Sequence, residues 1–185
     1  MIFRETSIPG AYVIEPERNV DERGSFARVW CARDFERQGL NPKLVQSSIS
    51  TNKLKGTLRG IHYSVPPHAE DKLVRCVRGA IYDVLVDLRP ESPAFCTWFA
   101  LELTADTGAA MYAPLGVGHG FQTMEDGSDV LYQMSEFYDP ACARGARWND
   151  RAFGIQWPEA HPILSERDRS YPDFDAGSVL RAGSP

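Results

Sequence analysis

The chain has no run of apolar residues near the roughly 20 that cross a bilayer. Its start, Met-Ile-Phe-Arg-Glu-Thr, lacks the basic end and apolar stretch of a signal peptide, so a cytoplasmic protein without membrane partners is expected. Positive charge is not in surplus either: Asp+Glu 25 against Lys+Arg 20 leaves a formal net charge of -5. A polyanion partner asks for a strongly basic domain or stripe, and the charge speaks against nucleic acid. A few converging Arg and Lys can still build a pocket for a small anion. The four cysteines, Cys31, Cys76, Cys96 and Cys142, form no C-x-x-C pair and no Cys/His cluster of zinc spacing, and they read as reduced core thiols. Repeats and low-complexity blocks are missing, and 43% hydrophobic with 24% charged residues is unlike a disordered chain. At 185 residues a single domain is expected. It spans 1–174, and the tail 175–185, poor in residues to bury, reads as a flexible end.

Helical signals are few. Residues 31–38 fit two turns closed by Gly39, and Ser165-Glu166-Arg167-Asp168 reads as the first turn of a short C-terminal helix. What the chain does carry is β patterning. Residues 80–88 alternate: Asp83 and Asp87 share the parity of Ile81 and Leu85, while Tyr82, Val84, Val86 and Leu88 form a wholly apolar face. Arg89-Pro90-Glu91-Ser92-Pro93 must turn, and residues 97–103 make the next strand. Residues 120–124 and 130–134 flank Glu125-Asp126-Gly127-Ser128, whose Asp-Gly pair predicts a tight β-hairpin. Many short strands separated by turn signals predict an all-β sandwich or barrel of the jelly-roll kind, with room inside for a ligand.

The most specific local pattern is Gly108, five residues, Pro114-Leu115-Gly116, two residues, His119, which is similar to the second motif of the cupin jelly rolls. The first cupin motif is present in altered form. Gly56, five residues and His62 keep its first histidine, Ser64 replaces the second, and Lys72, with six residues between it and Gly79, replaces a metal-binding glutamate. An ammonium has no lone pair to offer a metal while protonated, so the motif predicts a cupin cavity without a metal. The groups left in it, His62, Lys72 and Tyr132, suit proton abstraction beside a carbonyl. An imidazole, with an ordinary pKa of about 6.5, is a competent base near neutrality. A lysine steadies an oxyanion, and a phenol can return a proton from the other side.

Longer blocks follow one another along the chain. They are Asp21-Glu22-Arg23-Gly24-Ser25-Phe26, Gly56-Thr57-Leu58-Arg59-Gly60-Ile61-His62-Tyr63, Lys72-Leu73-Val74-Arg75 and Tyr82-Asp83-Val84-Leu85-Val86-Asp87-Leu88-Arg89, then Gly118-His119-Gly120-Phe121, Trp148-Asn149-Asp150 and Leu164-Ser165-Glu166-Arg167-Asp168. Together they resemble the nucleotide-sugar 3,5-epimerases, the dTDP-4-dehydrorhamnose 3,5-epimerase family, over most of positions 1 to 174. The resemblance implies a cupin-type jelly roll (double-stranded β-helix) with a few short flanking helices. It implies an isomerase that removes and returns the C3 and C5 protons of a dTDP-4-keto-6-deoxyhexose, with no cofactor, in a homodimer serving rhamnose and polysaccharide biosynthesis. It casts His62 as the base, Asp168 as the carboxylate that orients it, Tyr132 as the acid and Lys72 as the cation beside the C4 oxygen. His119 falls near the same oxygen. Arg23 and Arg59 match residues that grip the diphosphate, Gln46 a contact at the nucleotide end, and Phe26 and Tyr138 further substrate contacts.

The chain departs from that pattern at Ser48, Ser64, Glu70-Asp71 and Ala143, around the sugar-nucleotide contacts and not on the proton-transfer groups. This leaves open the nucleobase and the exact sugar. A C3-only or C5-only epimerase, or one for CDP-sugars, is the alternative of the same reaction class, and a metal-dependent cupin enzyme or a non-catalytic sugar-nucleotide binding module is the alternative from a different class. His68 and His161 read as surface residues, and Arg75, Arg78 and Arg89 as structural or rim charges. The cavity, gathering Arg23, Arg59, Lys72, His62 and His119, is expected to be locally positive in an acidic protein.

Overall fold

Short alternating segments need a second apolar surface to cover them, and here they find it in two antiparallel sheets laid face to face. The computed structural model describes residues 1–175. In chain order the elements are β1 (Ile2–Glu5), β2 (Tyr12–Glu15), β3 (Arg18–Asp21), β4 (Gly24–Ala27), α1 (Ala32–Arg37), β5 (Gln46–Asn52), β6 (Leu58–Ser64) and β7 (Lys72–Arg78). They continue with β8 (Ala80–Asp87), β9 (Trp98–Thr104), β10 (Ala110–Ala113), β11 (Val117–Thr123), β12 (Ser128–Met134), β13 (Ala143–Gly145) and α2 (Glu166–Ser170). One sheet runs β1-β2-β10-β7-β12-β5 and the other β13-β6-β11-β8-β9, while among the described residues β3 and β4 pair only with each other. This is the all-β jelly roll expected, with two short helices beside it.

Between the sheets lie Val74 and Cys76 of β7, Ile81 and Leu85 of β8, Phe121 of β11 and Val130 of β12. The outer face of the five-stranded sheet is buried as well, with Ile61, Val84, Val86 and Leu88 packed under Phe153 and Ile155. Strand β8 is therefore covered on both sides, which explains its nearly unbroken apolar run. Its two aspartates are fully buried. Asp87 takes the backbone N–H and guanidinium of Arg89 and the Ser92 hydroxyl, and so folds the turn that follows. On the outer face of the six-stranded sheet, Phe35 of α1 packs with Ile14, Leu73 and Tyr112.

Both helices form where the sequence places them. Helix α1 ends at the Gln38 cap, and Gly39 follows at φ 71°. The expected hairpin over 120–134 does not form. Strand β11 pairs with β6 and β8, whereas β12 pairs with β5 and β7. The turn between them carries the chain from one sheet to the other. Gly127 does adopt a positive φ of 69°, but the turn is tied to outside elements: Met124 N–H bonds Ala80 O at 2.9 Å and Gly127 N–H bonds Lys53 O at 3.1 Å. Turn chemistry fixes a reversal; which strand becomes the neighbour is settled by burial on both faces. The four cysteines are free, and among the described residues no helix is long and apolar enough to cross a membrane. Apart from Asp175, the tail expected to be flexible lies outside the described residues.

Candidate active site

Strand β6 presents His62 and α2 brings Asp168 to it, 106 positions away in sequence, with His62 Nε2 2.6 Å from Asp168 Oδ1. One serine organises the carboxylate. Ser165 Oγ accepts the Asp168 N–H at 3.1 Å, capping α2, and donates to Asp168 Oδ2 at 3.0 Å. Burial pushes the Asp168 carboxyl up. Hydrogen bonds from His62 and Ser165 and the charges of His62 and Arg167 outweigh it and hold the group below its ordinary value. An ionised Asp168 keeps hydrogen on Nε2 and leaves the Nδ1 lone pair free to take a proton. A bulge aims this strand: His62 lies opposite His119 and Arg59 opposite Phe121, so residues three apart share the inward face. The bulge depends on Gly60, where a Cβ would stand 2.5 Å from Gly120 Cα and 2.8 Å from His119 O.

A cavity of about 290 Å³ opens beside His62, near the lower end of the roughly 300–1,000 Å³ common for small-molecule sites. Its opposite wall comes from the other sheet, with Lys72 of β7, Tyr132 and Met134 of β12, and Gln46 and Ser48 of β5. Burial foremost, then the charge of Asp83 and, more weakly, that of Asp168, drives the Tyr132 phenol well above its ordinary value against the opposing charge of Arg59. Tyr132 is thus a neutral proton donor. Behind it stands a second histidine–aspartate pair, with His119 Nε2 2.7 Å from Asp83 Oδ1 and the His119 ring edge-on to Tyr132 at 5.5 Å. Burial raises the Asp83 carboxyl and His119 only moderates it.

The cavity brings together His62, Lys72, Tyr132, Gln46 and Tyr138, and Gln46 Oε1 accepts the Tyr138 N–H at 3.1 Å. Four expected contacts fall elsewhere. His119 is buried behind Tyr132 and does not line the cavity. Arg59 lies beyond its wall, with Nε donating to Asn52 Oδ1 at 2.8 Å. Arg23 and Phe26 sit on the β3–β4 ribbon and line a separate depression; among the described residues the ribbon pairs with no other strand. The departures Ser48, Ser64, Glu70 and Ala143 all line the cavity, and Asp71 does not.

Sequence reasoning missed Asp83 as the partner of His119, and it missed Arg144 and Arg167, both cavity-lining. Arg167 Nε donates to the Tyr171 hydroxyl at 2.6 Å, and Arg144 Nη1 donates to Ala141 O and Ala143 O. Signals existed: Asp83 has the inward parity of Ile81 and Leu85, and Arg167 adjoins Asp168. His68 lies 3.5 Å from Asp139 and outside the cavity wall.

Residues 5–176 match the family described as dTDP-4-dehydrorhamnose 3,5-epimerase. The chain is 38% identical over 175 residues to the dTDP-4-dehydrorhamnose 3,5-epimerase of Sinorhizobium fredii, covering 94% of this chain and 90% of that protein. It is also 38% identical over 170 residues to the dTDP-4-dehydrorhamnose 3-epimerase of Streptomyces niveus, covering 91% and 82%. A crystal structure of dTDP-4-dehydrorhamnose 3,5-epimerase from Bacillus anthracis with TDP and PPi bound superposes with a TM-score of 0.90 at 37% identity, covering 94% of this chain and 99% of that one. With its cupin jelly roll and a match along nearly its whole length, the chain belongs to the dTDP-4-dehydrorhamnose 3,5-epimerase family.

Proposed function

We propose that the protein inverts C3 and C5 of dTDP-4-dehydro-6-deoxy-D-glucose to give dTDP-4-dehydro-L-rhamnose. The observation that carries this is the placement of His62 and Tyr132 on opposite sheets across one cavity, with Lys72 on the Tyr132 side. A ring held between them meets a base on one face and an acid on the other. His62 Nδ1 takes the proton from the carbon beside the ketone. The C–H electrons form the enolate double bond, and the negative charge collects on the C4 oxygen, where the Lys72 ammonium stabilises it. Asp168 balances the imidazolium. Tyr132 then gives its proton to the opposite face, and exchange with water restores both groups. The ketone itself holds the charge, so this chemistry calls on no cofactor. General acid–base catalysis of this kind is worth on the order of 10² to 10⁴ in rate.

Incubation with dTDP-4-keto-6-deoxyglucose in deuterated water is expected to place deuterium at both C3 and C5. No exchange at either carbon overturns the reading. Exchange at C3 alone assigns the narrower activity that the Streptomyces niveus relative is named for.

A cytoplasmic homodimer belongs to the same proposal. Free thiols suit a reducing compartment. The β3–β4 ribbon leaves Val20 77% and Phe26 76% exposed, and edge strand β5 leaves Ile49 64% exposed. A second copy covering them would remove an unprotected sheet edge. It would also carry Arg23 and Phe26 of one copy to the cavity of the other, giving both the substrate contact the family resemblance implies. Mixed dimers made from inactive Arg23→Ala and inactive His62→Ala chains are expected to recover activity at the site that keeps both residues. Failure to recover shows that Arg23 does not act across copies.

A further inference from the structure

Glu70 is the one carboxylate among the described residues that line the cavity. Its side chain is 8% exposed and that of Lys72 is 12% exposed, with Lys72 Nζ 3.0 Å from Glu70 Oε1. Ser64 Oγ donates to the same oxygen at 3.2 Å, so both bonds fall on Oε1 and neither engages Oε2. The corner that holds Glu70 is rigid. Its neighbour Asp71 points away and accepts from Asn41 Nδ2 at 2.7 Å, Leu115 N–H at 3.1 Å and Ser135 Oγ at 3.1 Å. The Asp71 N–H and C=O are bonded as well, to Ser135 Oγ at 2.8 Å and from Ser135 N–H at 3.0 Å. These bonds fix the backbone beside Glu70.

A nearly buried ion pair recovers little of its desolvation cost, and an apolar pair of the same shape serves stability as well. A built carboxylate on a ligand cavity therefore points to the ligand. Side by side, the ammonium of Lys72 offers a donor and the carboxylate of Glu70 an acceptor. The complementary fragment is an acceptor oxygen and a donor oxygen on adjacent carbons, an α-hydroxyketone. Resting on the epimerase reading, which places the C4 ketone oxygen at Lys72, we propose that Glu70 accepts a hydrogen bond from the sugar hydroxyl at C3. C5, the other neighbour of the ketone, bears a methyl group and has nothing to donate. A carboxylate left without that donor would repel the oxyanion growing at C4. The hydroxyl turns this liability into selection for substrates that keep it.

Because C5–H remains acidic in a 3-deoxy analogue, deuterium exchange at C5 can be compared on two substrates, the 4-keto-6-deoxyglucose nucleotide and its 3-deoxy form. Wild type is expected to favour the hydroxylated substrate by roughly ten- to a hundredfold in kcat/KM, the scale of a hydrogen bond to a charged group. In Glu70→Ala that preference is expected to collapse to within about threefold, and the isosteric Glu70→Gln to fall between, both with melting checked. A preference that survives in Glu70→Ala, with both substrates slowed equally, overturns the proposal and leaves Glu70 as a support for Lys72. Exchange at C3 alone moves the same comparison to C3, whose hydrogens are acidic in both substrates, while no exchange by wild type at either carbon sinks the epimerase reading, and this proposal with it.

Discussion

The two aspartates behind the two histidines are shifted in opposite directions, Asp168 down by its partners' hydrogen bonds and charges and Asp83 up by burial. Asp168 is held below the ordinary carboxylate value of 3.8. Its contribution to stability is therefore present above that value and lost as pH falls through its lower folded value. Thermal melts in acid are expected to show Asp168→Asn losing less stability than wild type below pH 4, and an equal slope would contradict the assignment. The same variant offers an amide N–H to Nε2 and shifts the ring hydrogen to Nδ1, the nitrogen that must accept a proton. Exchange should slow on the order of 100-fold or more with KM little changed, and a drop below tenfold would remove Asp168 from the mechanism. Asp83 is raised by burial, so its ionised form costs stability once pH exceeds the ordinary value. At pH 7, Asp83→Asn is expected to melt no lower than wild type while it slows exchange by unsettling His119 and the Tyr132 ring against it. A clearly lower melting point would show that the pair stabilises the fold. His62 and Asp168 were legible in sequence because each lies in an extended block. Asp83 was not paired with His119, because alternation along β8 gives the direction of a side chain and not what meets it across the sheet.

Helix α2 and strand β13 are short, and the site depends on how they pack. Gly145 of β13 lies opposite His62 in the ladder, and a Cβ there would meet the Tyr171 ring at 2.2 to 2.6 Å. Tyr171, just past α2, stands edge-on to His62 at 6.0 Å and accepts a bond from Arg167. The glycine thus lets the end of α2 lie flat against β6. Gly145→Ala should push Tyr171 aside and cost about 1–3 kcal/mol, with a larger loss of exchange than Tyr171→Phe, which removes only the hydroxyl. The double variant Gly145→Ala with Tyr171→Ala is expected to be no less stable than Tyr171→Ala alone, since both act on one contact; additive losses in melting experiments would refute the contact. Local signals served well for elements of this size. The Ser165 cap, Gly39 after α1 and the run at 80–88 are each decided within a few residues. The hairpin expectation failed for the converse reason: Asp126-Gly127 specifies a reversal, whereas the partners of β11 and β12 are chosen by long-range burial that no local pattern encodes.

Over the whole molecule, a formal charge of -5 coexists with a cavity whose wall, among the described residues, carries Lys72, Arg144 and Arg167 against Glu70 alone. The expected positive site is there, but mostly through other residues: Arg144 and Arg167 line it, while Arg23 and Arg59 stand outside the wall. The cause is topological. A single sequence shows where arginines fall along the strand, and only the crossing of β13 and α2 beside β6 decides which of them converge. An acidic exterior with a cationic mouth draws a nucleotide diphosphate from a distance but weakens as salt shortens the range of the field, to roughly 10 Å at 0.1 M and 3 Å at 1 M. KM for the nucleotide sugar is therefore expected to rise several-fold between about 0.02 and 0.5 M salt, with kcat nearly constant because proton transfer takes place between groups in contact. Steady-state kinetics across that range check the claim. In Arg144→Ala the slope of log KM against log salt should be shallower, while an unchanged slope would assign the attraction to charges outside the cavity, Arg23 and Arg59 first among them.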